Sequence, residues 1–213
     1  MSTLKRISDW LPCGGVLSDE SWESRHRAIL YIIALHIPVV VTYALARGFS
    51  IMHAITEATF IVTFAIPAAL LTSRRRLRAA FATTALLMAS AVLVHISGGL
   101  IEMHFHFFVV IALLSLYQDW QAFLLAIGYT LLEHGVIGVL APKAVYAHHA
   151  GQVHPWAWAA IHAGFVLAAS AVNVVAWRFN ENAMLTLNKT LEQLEVSERQ
   201  YREVVGTVRD VVY

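Results

Sequence analysis

Cys13 is the only cysteine in 213 residues. Its isolation rules out an intrachain disulfide and any thiolate cluster of the kind that holds structural zinc or an iron–sulfur centre. Charge is scarce as well. Asp, Glu, Lys and Arg make up 14% of the chain against 58% hydrophobic residues, a balance too apolar for an ordinary soluble domain and suited to a chain that crosses a membrane repeatedly. With a net charge of +1 and no basic tract suited to it, nucleic acid is not an expected partner. Residues 1–27 are charged and lack a long apolar run ending at small residues, so no cleaved signal peptide is expected and the first membrane helix serves as an anchor.

Long apolar runs are what the sequence does contain. A helix needs roughly 20 apolar residues to cross the hydrocarbon core, and the segments that approach this are Ala28–Arg47, Met52–Thr72, Leu77–Ser97, Leu100–Tyr117, Trp120–Ala141 and Trp156–Phe179. The expected fold is therefore an all-α, six-transmembrane-helix bundle in residues 28–180, preceded by a stub, 1–27. Lys5, Arg6, Arg25, Arg27, Arg74, Arg75, Arg76, Arg78 and Arg178 fall on one side of this bundle, and only Arg47 and Lys143 on the other. The positive-inside rule then puts both termini in the cytoplasm, as expected of a multi-pass protein of a bacterial inner membrane. Within the stub, Leu4, Ile7, Trp10 and Leu11 have helical spacing and fit either a helix lying on the inner surface or an unstructured tail.

After Phe179 the composition turns polar. Met184, Leu187, Leu191, Leu194 and Tyr201 are spaced like a heptad seam, so residues 181–201 are expected to continue the sixth helix into a cytoplasmic coiled coil that pairs two copies of the chain. The following Ser197-Glu-Arg-Gln-Tyr-Arg-Glu-Val-Val-Gly-Thr-Val-Arg-Asp-Val-Val-Tyr213 resembles the entry helix and first strand of a PAS domain. That resemblance implies that 202–213 opens a downstream cytoplasmic signalling domain in the same polypeptide.

The chain has 11 histidines. Threading puts His53, His95, His104, His106, His134, His148, His149, His154 and His162 in or beside one leaflet. Ionisable residues at membrane depth are costly and mark function, and buried imidazoles each need a partner. His95, His104, His106, His134 and His162 come from the third to sixth segments at similar depth, the arrangement a site in a bundle core requires. Glu102, four residues before His106, is a further ligand or an acceptor behind it, and His148 is a lid ligand in the one long outer loop. His104 and His106 are about 200° apart on a regular helix, so the helix start is irregular or they serve two sites. Gly135 and Gly138 allow helices to approach closely beside His134. A lone membrane histidine usually makes an interhelical hydrogen bond, and that reading is kept for His26 and His36. His53, His149 and His154 are read as interfacial. Imidazole and carboxylate donors without thiolate suit a transition metal ion, copper first, then zinc or non-haem iron. Haem b between facing pairs, His106 with His134 or His95 with His162, is the alternative.

The block Glu102-Met-His104-Phe-His106-Phe-Phe is the most specific part of a wider likeness. With His95 to Trp120, Leu132-Glu-His-Gly, Val145-Tyr-Ala-His148 and Pro155 to Val166, it resembles a bacterial membrane sensor head found ahead of histidine kinase, diguanylate cyclase and chemotaxis-transducer outputs. Glu133, where such heads often carry a second histidine, and His154, where Asn is usual, depart from it. The resemblance implies a non-enzymatic sensor of a gas, redox state or metal level, and gives no settled ligand. An electron-transfer protein is the competing reading. Hydroxylase-type HxxxH and HxxHH boxes do not occur.

Overall fold

The computed structural model describes residues 10–72 and 74–212, with side chains as far as 203. Leu4 and Ile7 of the expected surface helix lie outside the described residues, as does Tyr213. Everything regular among the described residues is helical. In chain order α1 is Asp19–Ala46, α2 Ile51–Leu70 and α3 Arg75–Ser97. Next, α4 comprises Ile101–His104 and His106–Leu114 and closes in a 3₁₀ turn, Ser115–Tyr117. Then α5 is Trp120–Leu132, running through a π-helical turn at Glu133–Ile137 into Gly138–Leu140. Two short helices, α6 (Pro142–Val145) and α7 (His149–Val153), lead to α8, Pro155–Val212.

Five of these helices are long and apolar enough to cross a membrane, so this is a multi-pass membrane protein. The fourth expected span is different. Ile101–Tyr117 is apolar but shorter than the rest, and at about 1.5 Å per residue it reaches only about 25 Å of a core about 30 Å thick. The first helix, in turn, starts well before the expected Ala28. Ser18 caps it by accepting from Ser21 N at 3.2 Å, with Asp19 and Glu20 in the first turn.

The chain divides into two compact units, Leu17–Val174 and Met1–Val16 with Val175–Tyr213. In the first, α3 is the central helix, packed against α1, α2, α4 and α5. Ala79, Ala82, Ala85, Ala89 and Ala91 let its neighbours approach closely. The outside carries the large apolar side chains, among them Tyr31, Met52, Leu70, Leu124, Leu140 and Val172, as a lipid-facing surface requires. Several helix hydroxyls turn back on their own carbonyls, for example Thr56 to Met52 O and Thr130 to Ala126 O, both at 2.9 Å, which satisfies them within the helix.

One end of this unit is tied by arginine. Arg78 pairs with Glu23 and Arg75 with Asp19, and both guanidiniums lie over the Trp22 ring, 5.0 and 5.4 Å from its centre. Trp22 stacks on the fully buried His26, whose Nδ1 is 2.7 Å from Tyr117 Oη and Nε2 3.0 Å from Ala68 O. His26 thus bonds α1 to α2 and α4, in the role expected of it.

In the second unit the carboxylate of Glu181, which is buried, accepts from Cys13 N at 3.2 Å and Gly14 N at 3.0 Å, with Arg178 3.6 Å away. Farther along α8, Leu187, Leu191, Leu194 and Tyr201 are exposed. The residues expected to turn into a PAS strand remain helical to Val212; a strand needs neighbours to pair with, and the described residues contain none.

Candidate metal centre

The opposite end of the first unit is built around two local irregularities. After α3 the chain turns at Gly98 and Gly99, both left-handed at φ +77° and +78°, which glycine tolerates best. Then α4 breaks at Phe105, one residue past His104. The helix start is irregular, and the two rings go to different partners. In α5 the π turn at Glu133–Ile137 carries His134 into the bundle, a distortion common at functional sites.

His104, His134 and His162 come together. Their ring centres are 5.1 Å (His104–His134), 4.9 Å (His104–His162) and 4.9 Å (His134–His162) apart, and one nitrogen from each lies within 4.8 Å of the other two. His104 and His134 are buried and His162 is half-buried. His104 Nδ1 donates to Leu100 O and His162 Nδ1 to Trp158 O, both at 2.8 Å. These bonds fix the proton on Nδ1 and leave Nε2 with its lone pair. Glu133 Oε2 sits 2.6 Å from His134 Nδ1, off the hydrogen-bond angle. Neither His104 Nε2 nor either nitrogen of His134 has a hydrogen-bond partner, although Val145 O lies near enough to His104 to influence its ring. Orphaned buried nitrogens are costly in a packed interior, and a cation among them would satisfy them.

The spacing fits one ion. Three imidazoles bound through nitrogen at about 2.0–2.1 Å with tetrahedral angles set their ring centres about 5 Å apart. A trans pair across haem iron needs about 6 Å and a slot for the porphyrin.

Tyr146 covers the group. Its ring centre lies 6.4 Å from His104, 6.3 Å from His134 and 6.2 Å from His162. Its hydroxyl donates to His134 O and Pro155 O, each at 3.2 Å. Burial first, then the Glu133 charge, pushes the phenol above its ordinary pKa, so it stays neutral. The loop carrying it is laid on the glycine turn through Ala147 N to Gly99 O at 3.0 Å. Gly138 leaves room for the Tyr146 ring and Gly135 for that of Trp156; a Cβ at either would fall within 2.8 Å of it. These are the close approaches expected at the two glycines.

The other histidines are distributed differently from expectation. His106 Nε2 is 3.0 Å from Nε2 of His36, and its Nδ1 is 2.8 Å from Ser90 Oγ. His36 is thus the partner of a residue assigned to the ligand set, while His106 is apart from His134. His95 lies across Glu57 from His53: each Nε2 is 3.4 Å from Glu57 Oε1. His53 is therefore part of a side-chain group, and His95 does not face His162. His148 Nδ1 caps α7 by accepting from Gly151 N at 3.0 Å, with the ring edge-on to Trp158 at 4.3 Å. Glu102 is exposed and belongs to neither group. Neither facing pair proposed for haem forms.

With this geometry in hand, the chain can be set beside known proteins. It is similar to a halobacterial transducer. Transducer protein Htr8 of Halobacterium salinarum is 33% identical over 217 residues, a match covering 95% of this chain and 33% of that protein. The chain thus spans about a third of the curated relative's length. A match that leaves out so little of the chain runs across both histidine groups. No family model matches the sequence, and no solved structure is similar to it.

Proposed function

We propose that this chain is the membrane sensory head of a signalling receptor, and that His104, His134 and His162 hold a transition metal ion through which it senses a gas, redox state or metal level. The observation that carries the reading is the convergence of three imidazoles whose spacing suits one tetrahedral ion, two of them with Nδ1 tied to a carbonyl and two with orphaned buried nitrogens. Neutral imidazoles without thiolate favour copper, then zinc or non-haem iron. The ion would supply a position for an exogenous ligand or a change of oxidation state. The protein holds the His104 and His162 rings by their Nδ1 bonds and covers all three rings with Tyr146.

In this reading Ile101–Tyr117 is the fourth of six spans, short but sufficient where the bilayer thins around it. The arginine-rich end and both termini are cytoplasmic, and the metal end faces out of the cell's cytoplasmic membrane. The similarity to a transducer supports a signalling role. Since α8 contains His162 near its start and the exposed Leu187, Leu191 and Leu194 farther on, a shift at the metal travels along one helix to a seam between two copies and to an output domain in the same polypeptide. Such coupling needs two helix arrangements of unequal affinity for the signal. The head itself performs no catalysis.

Metal analysis and an optical spectrum of the purified chain test this. Stoichiometric copper, lost on His134→Ala, is expected. Zinc or iron with the same dependence changes the ion and keeps the site. A Soret band replaces it with haem b, and the absence of both metal and Soret band contradicts the reading.

A further inference from the structure

We infer that His53, Glu57 and His95 form a second cation site, of zinc type, separate from the three-histidine centre. It goes beyond the reading above, since neither the ligands nor the ion are shared. The three residues come from the start of α2 and the last turn of α3. Ser50 fixes the first of these by accepting from His53 N at 3.2 Å, and the His53 ring stacks on Phe49 at 4.5 Å.

One carboxylate oxygen, Glu57 Oε1, stands 3.4 Å from Nε2 of His53 and 3.4 Å from Nε2 of His95. Donors about 2.1 Å from a tetrahedral zinc lie about 3.4 Å from each other, so the carboxylate suits either ring as a co-ligand. The two ring centres, 6.1 Å apart, stand about 1 Å wider than a tetrahedral pair and would draw in on the ion. A hydrogen bond would draw these atoms nearer to 2.8 Å, and His53 Nε2 has no hydrogen-bond partner although it is shielded. Glu57 is more than nine-tenths buried and aimed between the two rings. A buried carboxylate beside an unpartnered imidazole is an expensive arrangement at the end of a membrane helix. A divalent cation satisfies all three at once.

The two sites differ in kind. The first offers three neutral imidazoles under Tyr146. The second offers two imidazoles and a carboxylate, with the side chains of His53 and His95 36% and 46% exposed. Two histidines and a glutamate with an open position are a donor set used for exchangeable or reactive zinc. That opening adjoins a pocket of about 660 Å³, apolar apart from Glu57, His95, Tyr129 and Glu133. The second site is thus exposed on one side and borders an apolar cavity on the other.

Equilibrium dialysis of the full chain against Zn²⁺, with metal counted per polypeptide, tests the inference. The wild type is expected to bind two equivalents. Glu57→Gln, nearly isosteric, and His95→Asn, at an exposed position, should each lose one, while His134→Ala keeps the equivalent that these two remove. If wild type binds one equivalent that Glu57→Gln abolishes and His134→Ala does not, this site stands and the three-histidine centre takes no zinc. If both Glu57→Gln and His95→Asn bind as much zinc as wild type, the second site is overturned.

Discussion

Gly99 and Gly98 offer a paired test of how the metal end is held. Both are left-handed, at φ +77° for Gly98 and +78° for Gly99, and an alanine at either pays about 1–2 kcal/mol for that conformation. Around Gly98 nothing lies within 4 Å of an added Cβ. At Gly99 the same carbon would fall 2.6 Å from Tyr146 N and 2.7 Å from both Ala147 N and Val145 C. These are backbone atoms of the loop that carries Tyr146, and no rotamer change moves them. Overpacking of this kind costs about 1–3 kcal/mol, so Gly99→Ala should cost about 2–5 kcal/mol and Gly98→Ala only about 1–2 kcal/mol. At about 2–4 °C per kcal/mol for a chain of this length, thermal unfolding in one detergent should separate the two variants by about 2–12 °C. The lifted loop should also speed loss of metal to a chelator in Gly99→Ala alone. Equal melting of the two variants would refute the idea that this loop is pinned on the glycine turn.

Other perturbations reach different parts of the molecule. Arg78→Ala removes the partner of Glu23 and a cation from the Trp22 face; hydrogen bonds to charged groups set a loss of about 1.5–3 kcal/mol, readable as a lower melting temperature with metal content unchanged. Glu181→Ala leaves the Cys13 and Gly14 amides without their acceptor, a loss of about 1–3 kcal/mol that should raise hydrogen exchange at those two amides about 5- to 150-fold. Leu191→Asp puts a charge on the exposed seam and should abolish chemical crosslinking between copies. In the full receptor, Met184→Pro should uncouple output from signal while metal content stays at the wild-type level; unchanged signalling would count against α8 as the route.

The helices were legible because lipid imposes long apolar runs, but the start of the first at Ser18 was not, because its opening turns are charged and lie outside the apolar run. The crowding of histidine at one end was legible too, as was the split between His104 and His106, since helical pitch alone separates them. Which histidine meets which was not. A helix apolar on every side has no amphipathic stripe to fix its rotation, so pairings across the bundle are decided by packing that spacing does not encode. The interhelical hydrogen bond expected of His36 forms, but its partner, His106, is 70 residues away and could not be named from spacing. His53 looked interfacial because its role depends on Glu57 reaching His95 on another helix. Tyr146, which covers three imidazoles, lay inside the Val145-Tyr-Ala-His148 piece of the resemblance, but nothing in that piece singled out its ring. Glu102, four residues before His106, is exposed and joins neither histidine group.

The central claim is that three imidazoles share one ion. X-ray absorption at the metal edge of the purified chain, with Glu57→Gln used to remove the second site, tests it most directly. Three imidazole nitrogens at about 2.0 Å, with the outer-ring scattering of histidine, are expected, and this signal should disappear in the Glu57→Gln, His134→Ala double variant. A bound metal surrounded mainly by oxygen, or a spectrum unchanged by removal of His134, would contradict the account.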